Sequence, residues 1–225
     1  MIHQRIIRGE LAYIHDAEGP VGHEWFTVSV DAAGGRVVRT RCEMWRDEVL
    51  RDVVWSMDER WRPLEGYVRL TLGGSYSGSL WCLFDDNVVV AEGDSVAGGR
   101  IRQRLELGEP IAIFGAHPVS GDAMKPAVFD RRRPERRQSF ASVSTSPLPN
   151  GASGPILTAR RNTFEWIGDE TITVKAGRFA CSRFRWHFTE FPPIEIWSSG
   201  PDFLPVRVRW DLLKSNYDLV ALAID

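Results

Sequence analysis

Lysine, cysteine and long apolar runs are scarce in this 225-residue chain, and each scarcity excludes a class of protein. Lys125, Lys175 and Lys214 are the only lysines, and the net charge is -2. Proteins that bind nucleic acid or an anionic membrane usually carry a basic excess, so we expect neither partner. The three cysteines have no CxxC spacing, which argues against a disulfide framework and a zinc site. No stretch approaches the roughly 18 apolar residues of a membrane span.

Motifs for targeting, cofactors and nucleophilic catalysis are also absent from the sequence. The N-terminal MIHQRIIRGELAYIHD lacks the apolar run of a secretory signal, so we expect a reducing cytoplasm with Cys42, Cys82 and Cys181 buried as small apolar groups. There is no GxSxG elbow, and LGGSYSGS lacks the ending of a phosphate loop. His3, His15 and His23 lack metal-ligand spacing. We therefore expect no cofactor and no metal.

Short segments that alternate apolar and polar residues fill most of the chain, and Gly, Pro, Asn and Asp separate them. This pattern predicts β-strands. The predicted strands are 5–14, 23–30, 36–45, 49–57, 67–72, 76–84, 88–91, 100–107, 158–167, 170–174, 178–188, 194–198, 206–210 and 217–224. Because exposed sheet edges invite aggregation, we expect one all-β domain over residues 1–225, an antiparallel meander curled into a barrel or half-barrel.

The alternation breaks over residues 108–138, where four prolines and three glycines interrupt it. A short helix is predicted at 121–129, with Ser120 or Asp122 as its cap. A second loop, STSPLPNGASGP, is rich in Ser, Pro and Gly. Insertions as long as the first are often functional loops or lids.

The predicted sheet has one apolar face and one arginine-rich face. In strand 178–188, the apolar side is Ala180, Ser182, Phe184, Trp186 and Phe188, and the polar side is Phe179, Cys181, Arg183, Arg185 and His187. Strand 206–210 alternates in the same way. We expect the arginines in water and the aromatic face inside. The alternative is a polar lumen that binds an anion beside His187.

Nine tryptophans are present, and such large side chains either fill a core or form the walls of a small-molecule cavity. The aromatic residues that we expect to line a cavity are Tyr76, Trp81, Phe114, Phe184, Trp186 and Trp197.

FGAHPVSGDAM, inside the long insertion, carries the best candidate for chemistry. Pro118 is expected to hold His117 in an extended conformation. Asp122, five residues further on and across Gly121, is placed to orient the imidazole in an acid/base pair. The alternative is that His117 caps a carbonyl and Asp122 caps the short helix.

VKAGRFACSRFRW, EIWSSGPDFLPVRVRW and YDLVALAID, in the C-terminal third, resemble uncharacterised bacterial β domains of the lipocalin-like or lipoprotein-carrier-like type. Val174, Gly177 and Phe179 match the entry to one strand, and Trp197 and Asp202 match the next strand and turn. The resemblance implies a curved antiparallel sheet that holds a hydrophobic ligand. It supplies no catalytic residues.

Three functions follow as hypotheses. The first is binding of a hydrophobic, aromatic or polycyclic small molecule inside the barrel. The second is a cofactor-independent lyase, isomerase or hydratase that uses His117 and Asp122. The third is a structural or protein-interaction domain, for which a homodimer is one arrangement.

Overall fold

The computed structural model describes residues 5–225, and this part of the chain is almost entirely β-structure. Its strands are β1 (Arg5–His15), β2 (Gly19–Val30), β3 (Arg36–Met44), β4 (Val49–Met57), β5 (Pro63–Leu72), β6 (Ser75–Asp85), β7 (Val88–Ser95), β8 (Gly99–Glu106), β9 (Ile113–Gly115), β10 (Arg137–Ser144), β11 (Thr158–Val174), β12 (Gly177–His187), β13 (Ile194–Ser199), β14 (Leu204–Trp210) and β15 (Ser215–Ile224). One helix, α1 (Val119–Met124), precedes a 3-10 turn at Lys125–Val128, and a second 3-10 turn lies at Asp211–Leu213. Within this range no helix has the length and apolarity to cross a membrane.

The fifteen strands form one open, curled sheet. Its order is β8-β7-β6-β5-β4-β3-β2-β1-β15-β14-β13-β12-β11-β10-β9, so that the first and last strands meet in the middle and β8 and β9 form the edges. Neighbours are antiparallel except β9 and β10, which are parallel. The prediction of an all-β antiparallel meander is confirmed, with an open sheet rather than a closed barrel.

Alternation of side chains gives the sheet its buried face, as predicted. In β14, Val206, Val208 and Trp210 are buried, while Arg207 and Arg209 point outward. Phe184 and Trp186 of β12 are buried in the same core.

Cys181 is buried, as expected for a small apolar side chain, whereas Ala180, which was expected on the apolar face, is exposed. The turn between β11 and β12 lies against β15, where the Ala176 N–H donates to the Leu219 carbonyl at 3.2 Å. At this end of β12 the buried and exposed alternation classes are exchanged relative to the rest of the strand.

Two strands and the helix ends differ from the sequence prediction. β9 and β10 were not predicted, because β9 has three residues and β10 is rich in serine. β11 is one strand rather than two, with an irregular register beside Gly168. The helix begins at Val119 and not at Gly121, and neither Ser120 nor Asp122 caps it.

α1 lies in the interior and joins the two halves of the sheet. The carboxylate of Glu24, on β2, accepts hydrogen bonds from the Val119 and Ser120 N–H groups at 2.7 and 2.8 Å. Ser198, on β13, donates to the Ala123 carbonyl at 2.6 Å. The insertion therefore fills the concave face rather than covering it from outside as a lid.

Candidate functional site

A cavity of about 770 Å³ lies inside the C-terminal half of the sheet, between β10–β11 and β12–β15. We define its aromatic wall as Trp186, Phe188, Phe191 and Trp210. Phe188 is the centre of this wall, with ring centroids 4.6 Å from Trp186, 6.0 Å from Trp210 and 6.4 Å from Phe191. The wall offers a rigid apolar surface to a bound molecule.

An adjoining cavity of about 510 Å³ shares Tyr13, Met44, Leu213 and Tyr217 with the first. Tyr13 and Tyr217 meet edge to face, with centroids 4.7 Å apart. The two cavities therefore adjoin along these four side chains.

The opposite side of the main cavity is polar. Ser142, Ser144 and Ser146 alternate along β10 and the residues that follow it, and all three line the space. Ser142 Oγ donates to Asn162 Oδ1 at 2.8 Å. Small hydroxyl side chains on this strand leave room that larger residues would fill, and they present hydrogen-bonding groups to an occupant.

His117 lies at the junction of the polar side and α1. Its Nε2 is 3.0 Å from Ser144 Oγ, which itself donates to the Ser146 carbonyl at 2.9 Å. The φ of His117 is +69°, so the extended conformation expected before Pro118 is wrong. Arg51 Nη1 donates to the His117 carbonyl at 3.3 Å and thereby helps to hold this left-handed backbone.

Burial and neighbouring cations together hold the pKa of His117 well below its usual value. Desolvation is the largest cause, followed by the positive charges of Arg51 and Lys125. The imidazole is therefore neutral near neutral pH and can accept a proton only at considerable cost.

Asp122 pairs with Lys125 rather than with His117. Lys125 Nζ lies 2.5 Å from Asp122 Oδ1 and 4.1 Å from the centroid of the Trp186 ring. The cavity is lined by His117, Asp122, Lys125 and Trp186. The structure thus brings His117 and Asp122 to one space. Among the described residues, however, no hydrogen bond joins the two, and Ser144 takes the place of the predicted carboxylate partner.

A row of buried polar residues, Glu24, Cys42 and Arg51, crosses β2, β3 and β4 and holds the loops beside the cavity. Glu24 pairs with Cys42 in register, and Cys42 pairs with Arg51. Arg51 Nη2 donates to the Asn150 carbonyl at 2.8 Å, so that one guanidinium holds both loops. Burial raises the pKa of Glu24, although its hydrogen bonds oppose the shift.

The polar row carries a signal that the sequence interpretation missed. Glu24 has the same alternation as the buried Phe26 and Val28, and Arg51 has that of Val49 and Val53. A charged residue at an apolar position of a strand indicates a buried partner, and here that partner lies on the inserted loops.

Trp186 is the one residue of the six predicted aromatic ligand contacts that lines the main cavity. Tyr76 and Trp81 are exposed on the outer face of the N-terminal half, and Phe184 is fully buried. Trp197 donates from Nε1 to Glu170 and stacks with Arg183.

Phe114 packs into the N-terminal half of the core instead. A Cβ on Gly66 would lie 2.3 Å from the Phe114 ring. The centroid of the Phe114 ring is 5.2 Å from that of the Phe84 ring. Phe114 therefore belongs to the packing between the insertion and the sheet.

The arginine-rich patch on β12 is neutralised across the strands. Arg183 and Arg185 both donate to Glu195, at 2.9 and 2.5 Å, and His187 Nε2 lies 2.7 Å from Glu165. Over residues 5–225, no group of three or more His, Cys, Asp or Glu side chains could hold a metal ion. His3 lies outside the described residues.

No protein-family model and no curated protein matches the chain. Among solved structures, it is similar to a β-barrel-like protein of the domain of unknown function DUF1849 from Brucella abortus. The TM-score is 0.59 at 11% identity, over 100% of this chain and 98% of that one. A DUF1089 family protein from Pseudomonas aeruginosa has a TM-score of 0.49 at 9% identity, over 81% and 87%. The first likeness shows a β-barrel-like fold shared with an uncharacterised bacterial domain.

Proposed function

We propose that the protein binds a small molecule with an apolar ring system in the main cavity. The observation that carries the proposal is the aromatic wall facing a space of about 770 Å³. Ligand cavities in proteins usually measure about 300–1,000 Å³ and combine apolar walls with a few polar groups. The lipocalin-like resemblance of the C-terminal third and a cytoplasmic location belong to the same proposal.

A titration with N-phenyl-1-naphthylamine, a neutral and fluorescent two-ring compound, tests the proposal. We expect saturable binding with quenching of tryptophan emission, since Trp186 and Trp210 line the cavity. Phe188→Ala should weaken binding about tenfold or more, because it removes the centre of the aromatic wall. Tyr76→Ala, on the outer face, should leave affinity unchanged. Absence of saturable binding, or equal effects of the two substitutions, would overturn the proposal.

A second candidate is proton transfer by His117, as in a cofactor-independent isomerase or lyase. It is supported by a neutral imidazole at the cavity, hydrogen-bonded to Ser144. In D2O, a bound aromatic ketone such as 2-tetralone should then exchange its α-hydrogens for deuterium. His117→Gln should slow this exchange about 100-fold or more while naphthylamine affinity stays the same. Exchange at the rate of free solution in the wild type would reject this candidate.

A further inference from the structure

Within the described part of the chain, some charged side chains on the polar side of the cavity have an oppositely charged partner, and one arginine does not. Arg137 and Arg161 each have a carboxylate partner, Glu165 and Glu109. Arg160 also lines the cavity, is exposed at its rim, and donates to the Pro147 carbonyl at 3.3 Å. Among residues 5–225, no carboxylate lies within 4.0 Å of its guanidinium.

Arg51 is a second cation with no carboxylate within 4.0 Å among the described residues, although Glu24 lies across Cys42 in the same buried row. Its side chain is 1% exposed, and its hydrogen bonds go to the His117 and Asn150 main-chain carbonyls. These neutral acceptors solvate the guanidinium but do not cancel its charge. The low dielectric around a buried group lets that charge act over a longer distance than it would in water.

The corner around His117 therefore contains one cation, Arg160, that has no carboxylate within 4.0 Å among the described residues. Arg51, Lys125 and Arg160 all act on His117 as positive charges. Two carboxylates lie near this corner: Asp122 pairs with Lys125, and the buried Glu24 accepts from the Val119 and Ser120 N–H groups. Glu190 also lines the cavity, next to Phe191 of the aromatic wall. The Ser144 hydroxyl hydrogen is taken by the Ser146 carbonyl, so Lys125 and Arg160 are the donors that this corner offers to an anion.

We propose that the ligand is an organic anion, with its ring system on the aromatic wall and its carboxylate, sulfonate or phosphate head in the corner formed by His117, Lys125 and Arg160. This inference rests on the proposed binding function and names the chemical class of its ligand. Cavity binding alone would be satisfied by a neutral compound. The charge of the corner selects between the two classes.

Two probes with one ring skeleton separate the two proposals. 1-Anilinonaphthalene-8-sulfonate is N-phenyl-1-naphthylamine with an added sulfonate, so the difference in affinity reports on the anionic head. At low ionic strength we expect the sulfonate to bind about tenfold tighter than the neutral probe and to lose this advantage as salt rises. If neither probe binds saturably, the proposed function fails. If both bind equally, cavity binding stands and the anion preference is rejected.

Substitutions of Arg160 test whether its guanidinium binds the anionic head group of the ligand. Arg160→Gln should weaken sulfonate binding about five- to tenfold and leave neutral-probe binding unchanged, whereas Arg160→Lys keeps the positive charge and should retain most of the affinity. Arg102→Gln removes an equal charge from the edge strand β8, which does not line the cavity, and should affect neither probe. Melting curves of all variants exclude unfolding as a cause. Equal weakening of both probes by Arg160→Gln, or no effect on either, would overturn the assignment.

Discussion

Gly151 lies where the two loops beside the cavity meet Arg51. Its φ is +71°, and a Cβ there would lie 2.4 Å from Arg51 Nη2 and 2.8 Å from His117 Cγ. Gly74 has a similar φ of +75° with no atom within 4 Å of such a Cβ. Gly74→Ala should cost about 1–2 kcal/mol of unfolding free energy for the left-handed backbone. Gly151→Ala should cost roughly 1–3 kcal/mol more, because it also crowds the guanidinium and the imidazole.

Urea unfolding of the two glycine variants measures this difference, and the naphthylamine titration reports whether the cavity changes shape. Equal destabilisation by the two alanines would show that the loops relax around Gly151 and that the packing against Arg51 and His117 is not tight.

The lowered pKa of His117 gives a pH dependence of stability with a defined sign. In the unfolded chain the imidazole titrates near pH 6.5, and in the folded chain its pKa is lower. As pH falls below 6.5, the unfolded state binds a proton that the folded state refuses, so stability falls, at most by about 1.4 kcal/mol per pH unit. His117→Gln should flatten this slope. Glu24, whose pKa is raised, contributes a slope of opposite sign. This contribution is the same in the wild type and in the His117→Gln variant.

Chemical denaturation between about pH 5 and 7 checks the His117 prediction. A His117→Gln slope as steep as that of the wild type would contradict the prediction.

The segment that sequence reasoning singled out borders the cavity, but the pairing of its residues was not predicted. His117 and Asp122 were predicted from local spacing, and both reach the cavity. Their partners, Ser144 and Lys125, were not predicted. Ser144 is distant in sequence and lies on a strand with no apolar alternation. Exposed and buried aromatics also looked alike in the sequence, which is why Trp81 and Trp186 were grouped together.

At the scale of elements, α1 depends on Glu24 for its beginning. The carboxylate accepts hydrogen bonds from the Val119 and Ser120 N–H groups and from the Tyr13 hydroxyl, the last at 2.5 Å. Glu24→Gln exchanges one acceptor oxygen for an N–H donor, so at least one of these donors loses its partner. We expect a loss of about 2–3 kcal/mol in unfolding free energy. Glu43→Gln, on the outer side of β3, should cost less than about 0.5 kcal/mol.

Hydrogen exchange of the α1 amides distinguishes local release from general weakening in the Glu24→Gln variant. We expect the Val119 and Ser120 amides to exchange faster by a larger factor than those of β4. Uniform acceleration throughout the protein would mean that Glu24 stabilises the sheet and does not specifically anchor the helix.

The dependence on Glu24 also explains why the helix ends were mispredicted. Local rules look for a cap within a few residues, whereas the capping carboxylate is 95 residues away in the chain. β9 is a similar case, since its three residues are defined by parallel pairing to β10. Elements that are defined by remote partners leave no local pattern.

For the whole molecule, two-residue periodicity predicted the meander, but not the meeting of its first and last strands. β1 pairs with β2 on one side and with β15 on the other. The amides of β1 and β15 should therefore exchange with solvent most slowly, and those of the edge strands β8 and β9 fastest. Residue-resolved hydrogen exchange measures this order. Faster exchange in β1 than in β8 would show that the pairing of β1 with β15 opens before the edge strands do.

The central pairing of β1 with β15 also affects how the chain is made. β1 leaves the ribosome roughly 200 residues before its partner, which at about 5–20 residues per second is a delay of tens of seconds or less. During that interval, β1 through β8 can form a local meander that has an unpaired edge at β1 in addition to the permanent edge at β8. Such an edge is a template for pairing with other chains. We expect nascent chains that stop before Ser215 to be held by chaperones or to aggregate, and emergence of the ten residues of β15 to remove the edge at β1.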